Sequence, residues 1–193
     1  MRPSSSGDYT VTGTLMPAAR ACSRTTSCAG LAVDSKPMAA GATTVRHTLM
    51  VDASCDDRRG IVGIGLVVHR ATRPGRNGVV VDQFGEAYRG VPRSLAEMFA
   101  VLRALEISAD RGFRIVKVRS DCNPMRRQLK DAHQLGAGQK GHGLQGHILR
   151  LATRFADVKF AYQPRRKNQR AHTLARKAVW EAMPATRSDL FPG

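Results

Sequence analysis

The sequence predicts an α/β domain with a five-stranded mixed sheet, three antiparallel strands followed by two parallel ones, flanked by helices. Three observations predict it. Three runs rich in β-branched residues follow one another between residues 44 and 90, separated only by polar, Gly-rich or Pro-containing breaks. Beyond residue 92, stretches of helical periodicity alternate with short apolar runs, the pattern of βαβ units. The chain of 193 residues is long enough for one domain with a real core and an added tail.

The first strand is TVRHTLMVDAS, from Thr44, and CDDRRG then breaks the pattern. IVGIGLVVHR is the second strand. ATRPGRNG supplies Pro, Gly and Asn-Gly turn signals, so the second and third strands form a hairpin, the third being VVVDQFGEAYRG. Pro92 and Ser94 open a helix to about Ala109. Its Leu95, Met98, Phe99, Leu102 and Leu105 recur at three and four residues and give one apolar face, and Gly112 stops it. FRIVKVRS is the fourth strand, followed by a helix from about Asn123 to His133. LGAGQKGHG is a Gly-rich break before the helix LQGHILRLATRFA. VKFAYQP is the fifth strand and PRRKNQ a short connection. The last helix, about Asn168 to Ala182, turns Ala171, Leu174, Ala175, Ala178 and Val179 inward.

Residues 1–45 are rich in Ser, Thr, Ala and Gly and hold no periodic apolar pattern, so they cannot bury enough surface to offset their ordering entropy. They read as a disordered extension, or as sequence upstream of a start at Met16 or Met38. With only Asp8 and Asp34 as acids they also look like an organellar transit peptide, and they lack the apolar core of a secretory signal. The ordered domain spans 46–182, and 183–193 form a short tail. Lys and Arg number 31 against 15 Asp and Glu, a formal charge of +16, which points to a polyanionic partner, nucleic acid first. No apolar run is long enough for a membrane span. Cys22, Cys28, Cys55 and Cys122 form no CxxC pair, which argues against structural zinc and fits reduced thiols in the cytoplasm.

The chemistry rests on acids at the ends of elements. Asp52 closes the apolar run TLMVD, Glu97 lies in the first turns of SLAEMFAVLRALEIS, and Asp121 ends RIVKVRSD. Two strand ends and one helix start can converge, and converged carboxylates repel unless a cation neutralises them. Each has an ordinary alternative: Asp52 as a strand-end cap, Glu97 as an acid favoured by the helix dipole, Asp121 as a cap on the following helix. His172, in NQRAHTLARKA, is a fourth candidate or a solvated histidine. Arg165, Arg166, Lys167 and Arg170 cluster at the start of the last helix, where the dipole disfavours cations unless phosphate is the partner. Asp56, Asp57 and Asp110 read as solvated, and His133, His142 and His147 receive no catalytic role.

Taken together, VDASCDDRRGIVGIGLVV, SLAEMFAVLRALEIS, VRSDCNPMRRQL and YQPRRKNQRAHTLARKA resemble, in this order, the motifs of type 1 ribonuclease H, over about residues 46–182. The likeness is to the short-loop, plant-like members. Two departures stand out: His172 replaces the usual fourth carboxylate, as in some members, and Arg166 replaces the acid after Pro-Arg. The Gly-His loop of larger members is missing.

The resemblance implies a ribonuclease H-like fold and a metal-dependent endonuclease that cleaves the RNA strand of RNA–DNA hybrids with two Mg²⁺ or Mn²⁺ ions. Asp52 would bridge the metals, Glu97 and Asp121 would each hold one side, and His172 would edge the second site. Imidazole suits Mn²⁺ better than Mg²⁺, so Mn²⁺ is the expected preference. Ser54, Cys55 and Asn123 would face the hybrid's minor groove, where 2′-hydroxyls distinguish RNA. Arg165, Arg166, Lys167, Asn168 and Arg170 would take phosphates. Double-stranded RNA is an alternative substrate, and a nucleic-acid-binding protein with weak or no catalysis is the alternative from another class. The expected state is a monomer off the membrane.

Overall fold

The computed structural model describes residues 45–71, 78–134 and 143–183. The N-terminal extension, the turn between the second and third strands, most of LGAGQKGHG and the C-terminal tail lie outside the described residues.

Five strands form one sheet in the order β3-β2-β1-β4-β5. β1 (Arg46–Asp56), β2 (Ile61–Ala71) and β3 (Val79–Arg89) are an antiparallel meander, and β4 (Ile115–Ser120) and β5 (Asp157–Tyr162) extend it in parallel from β1. Helices α1 (Ala96–Asp110), α2 (Asn123–Gln134), α3 (Gly143–Ala152) and α4 (Gln169–Glu181) cover it. The expected five-stranded mixed sheet and element order are what the chain adopts.

Alternation along the strands assigns the faces. Leu49 and Val51 of β1, Val62, Ile64, Leu66 and Val68 of β2, and Val116 and Val118 of β4 point to one side. There they form the main core with Phe99, Leu102 and Leu105 of α1, Leu129 of α2 and Ile148 of α3. On the other side Met50 and Val67 meet Ala171 of α4 in a smaller cluster. α1 ends in a Schellman cap: Gly112 takes φ +69°, its amide reaches the Ala109 carbonyl at 3.0 Å, and the Phe113 amide reaches the Ser108 carbonyl at 3.0 Å.

Three boundaries differ from expectation. β1 runs on through Asp56 because the turn to β2 is tight, with Asp56 paired to Ile61 and Gly60 at φ +61°. Pro92 opens a single 3₁₀ turn (Arg93–Leu95), not α1 itself. Leu95, counted in the apolar stripe, therefore precedes α1 and is 40% exposed. α3 stops at Ala152 although the apolar spacing continues. The Thr153 hydroxyl bonds to the Arg150 carbonyl at 2.8 Å, and Phe155 turns into the core from a reverse turn that feeds β5.

α4 lies close on β2 because Gly63 and Gly65 have no side chains. A Cβ on Gly65 would stand 2.0 Å from the Ala171 carbonyl oxygen, and one on Gly63 would stand 2.2 Å from that of Ala175. Ala171 and Ala175 are fully buried against this seam. Gly65→Ala is expected to lift α4 and destabilise the fold by about 1–3 kcal/mol, the usual cost of overpacking. Urea denaturation checks this; an unchanged midpoint would contradict the close seam.

Candidate active site

Pairing of β1 with β4 runs from Arg46 and Ile115 to Met50 and Arg119 and then stops. β4 ends at Ser120, while β1 continues along β2. The two strands part at this point, and Asp52 and Asp121 stand where they part. The first turn of α1 brings Glu97 over the same gap, where the Ala53 amide donates to it. One carboxylate oxygen from each of Asp52, Glu97 and Asp121 lies within 4.8 Å of the other two. The three acids read from element ends therefore come together, Asp52 buried and the other two half-buried.

The acids are held by neighbours. His172 Nδ1 is 2.8 Å from Asp52 Oδ2, and its Nε2 is 3.2 Å from Arg165 Nη2. A guanidinium only donates, so Nε2 accepts and the imidazole carries its proton on Nδ1, donated to Asp52. Arg165 also places Nη1 3.8 Å from Asp121 Oδ2. The Ser120 hydroxyl lies 3.5 Å from Glu97 Oε2 and accepts from the Cys122 amide at 3.0 Å. His172 thus stands beside Asp52 as its hydrogen-bond donor, outside the group of three carboxylates.

Asn168 is placed differently from the expectation of a nucleic-acid contact. It is 1% exposed, and its side-chain amide donates to the Val51 carbonyl at 2.8 Å, with Asp52 Oδ1 at 3.5 Å. Its carbonyl oxygen is buried without a partner. Asn168 pins the start of α4 to β1 beside the acid. Arg165, Arg166, Lys167 and Arg170 are exposed as expected, and Arg170 donates to Gln83 on β3. Asn123 is half-buried and accepts from Arg126 Nη2 at 2.8 Å, a cation that the sequence reading left out. Ser54 and Cys55 are half-buried on β1, and Cys55 packs toward the main core. Cys55 and Cys122 are both free thiols. His133 packs edge-on against Phe160, a structural role.

Burial raises the Asp52 carboxyl to about 6, with Asp121 adding repulsion and the His172 hydrogen bond opposing it. Burial, then the charges of Asp52 and Asp121, raise Glu97 to about 8. Three hard oxygen donors, two of them holding protons well above the usual carboxylate range, form a donor set that fits a divalent cation such as Mg²⁺ or Mn²⁺.

A family model described as reverse transcriptase-like matches residues 50–178. The chain belongs to that family. No curated protein matches it in sequence. Among solved structures, it is similar to an RNase H1 from the halophilic archaeon Halobacterium salinarum, with 22% identity and a TM-score of 0.56 over 70% of this chain and 98% of that one. It is also similar to the N-terminal RNase H domain of a Mycobacterium tuberculosis protein, solved as a fusion with maltose-binding protein, at 21% identity and TM-score 0.55 over 72% of this chain and 96% of that one. A third is LC11-RNase H1, from a compost metagenome, in complex with an RNA/DNA hybrid, at 22% identity and TM-score 0.54 over 72% of this chain and 99% of that one. At these identities the likeness establishes the ribonuclease H-like fold.

The raised carboxyls carry a consequence for stability. Each holds its proton more tightly folded than unfolded, so folding stability is full below the ordinary carboxylate range and falls as pH rises through the folded values, about 6 for Asp52 and about 8 for Glu97. The metal-free chain is expected to lose several kcal/mol, up to about 6, between pH 4.5 and 8 from these groups. Glu97→Gln should flatten the upper part of that loss. Denaturant titrations at fixed pH values measure it; site-dependent stability that rises with pH would contradict the geometry.

Proposed function

We propose that this member of the reverse transcriptase-like family is a metal-dependent endonuclease that hydrolyses the RNA strand of RNA–DNA hybrids. The observation that carries the reading is the convergence of Asp52, Glu97 and Asp121, with one oxygen from each within 4.8 Å of the others. Two divalent ions held there would supply a water of lowered pKa and charge neutralisation on the scissile phosphate. The protein's own groups do the rest. His172 donates to Asp52 and fixes the direction of its carboxylate, and Asn168 ties the Asp52 strand to α4. Arg165, beside Asp121, adds a donor that suits an incoming phosphate. The formal charge of +16 supports a polyanionic substrate, and LC11-RNase H1, of the same fold, was crystallised with an RNA/DNA hybrid. Products would carry 5′-phosphate and 3′-hydroxyl ends.

Among the described residues no helix is long and apolar enough to cross a membrane. The half-buried free thiols Cys55 and Cys122 support a reducing, cytoplasmic setting. We read the chain as acting as a monomer.

The test offers labelled RNA–DNA hybrid, double-stranded RNA and DNA duplex, each with Mg²⁺ or Mn²⁺. Cleavage of the hybrid's RNA strand is expected, lost by at least about a hundredfold in Asp52→Asn, the scale of removing one charge-stabilising group. Cleavage surviving that substitution would remove the assignment, preferred cleavage of double-stranded RNA would reassign the substrate, and binding without cleavage under either metal would mark a non-catalytic binder.

The resemblance puts a carboxylate at the position of His172, and if cation binding turns the imidazole from Asp52 and Arg165 toward a metal, faster turnover with Mn²⁺ than with Mg²⁺ is expected. His172→Asp should shift the preference toward Mg²⁺. Equal rates with both ions at matched saturation would sink that expectation.

A further inference from the structure

Beside the site, the turn after β1 and the last turns of α4 enclose a cleft of about 520 Å³. Its walls include Ser54, Arg58, Arg176, Trp180 and Met183. Trp180 is the single tryptophan of the chain and is 75% exposed, an unusual state for so large an apolar ring. The acids that share the wall are already engaged: Asp56 pairs with Arg59 at 2.9 Å and Asp57 with Arg93. Arg58 and Arg176 are exposed and have no side-chain partner among the described residues. The cleft therefore offers an open indole face and two uncommitted guanidiniums.

The cleft lies further along the two elements, β1 and α4, that carry Asp52 and His172. Ser54 lies on the same face of β1 as Asp52, about 7 Å further along by strand rise. On α4, His172, Arg176 and Trp180 follow at intervals of four residues, so they form one stripe along the helix. By helical rise, Trp180 is about 12 Å from His172, the span of about three or four stacked nucleotides. A strand bound at the acids and directed along this stripe would meet a cation and then an indole.

We propose that this cleft is a distal nucleotide subsite, in which an unpaired base of a single-stranded segment flanking the bound hybrid stacks on Trp180 while Arg176 and Arg58 hold the flanking phosphates. Stacking on an exposed aromatic beside free guanidiniums is how sequence-tolerant strand binding is built. The arrangement excludes a purely apolar peptide, which would leave both guanidiniums unused. The proposal rests on the nuclease reading and extends its contact with substrate beyond the cleavage point.

Because Trp180 is alone in the chain, its fluorescence reports the cleft directly. The full-length Asp52→Asn chain is titrated with an end-labelled RNA–DNA hybrid of about two helical turns that carries a single-stranded overhang. Anisotropy of the label measures binding, and tryptophan emission measures occupancy of the cleft. Quenching that follows the anisotropy curve is expected. Trp180→Ala should weaken binding by about 5- to 100-fold, the range for loss of one stacked base, and Trp180→Phe should recover part of it. Arg58→Gln with Arg176→Gln should lower the slope of log affinity against log salt by about one to two. These side chains are exposed, so loss of fold is not the expected cost.

A parent chain that cleaves hybrid while Trp180 emission stays constant, and whose Trp180→Ala variant binds within twofold, would overturn the subsite and leave the nuclease reading standing. A parent chain that neither binds nor cleaves any nucleic acid would overturn both.

Discussion

The close seating of α4 on β2 is the constraint on which the rest of the site depends. Gly63 and Gly65 leave room for the helix backbone itself, at separations a Cβ would close to near 2 Å. Gly65 is paired across the sheet with Asp52, so the helix that rests on the glycine also reaches the acid. Asn168 and His172 arrive beside Asp52 as a result, one holding the β1 backbone and the other the carboxylate. Had β2 carried ordinary side chains at these positions, α4 would stand off the sheet. Its contribution to the site would then be out of hydrogen-bond reach.

The second constraint is electrostatic. Three carboxylates are gathered in a setting that raises two of them, so the fold bears a cost when no cation is present. That cost is partly met inside the protein by the hydrogen bond from His172 and the guanidinium of Arg165. The same two side chains link the acids to one another: Arg165 reaches both His172 and Asp121, and His172 reaches Asp52. The excess of basic residues over the whole chain then works at longer range, drawing a polyanion toward a site whose centre is itself acidic. A cation between carboxylate and phosphate reconciles the two.

Much of this was legible in the residues before any coordinates. Strand and helix periods, with Gly and Pro punctuation, specify local structure, and Asp52, Glu97 and Asp121 sit at ends that local structure defines. What local patterns do not encode is which tertiary partner a side chain finds. Asn168 reads as an exposed polar residue at a helix start, yet α4 packs so close to β1 that it is buried against Val51. His172 was expected at the edge of a metal site, and its orientation depends on Arg165, seven residues away and outside the helix. The apolar spacing of LATRFA continues past Ala152 because Phe155 serves the core from a turn as well as it would from a helix. Trp180 carried no signal in the periodic pattern, since its meaning lies in the cleft it shares with the turn after β1.

The claim that the three acids form a cation site is tested most directly by calorimetric titration of Mg²⁺ or Mn²⁺ into the metal-free chain near pH 7, in buffers of different ionisation enthalpy. Glu97, raised to about 8, is mostly protonated there, and Asp52, near 6, is mostly ionised. Cation binding should therefore release close to one proton, and Glu97→Gln should abolish that release. Absence of binding at millimolar cation, or binding whose heat is the same in every buffer, would contradict the site.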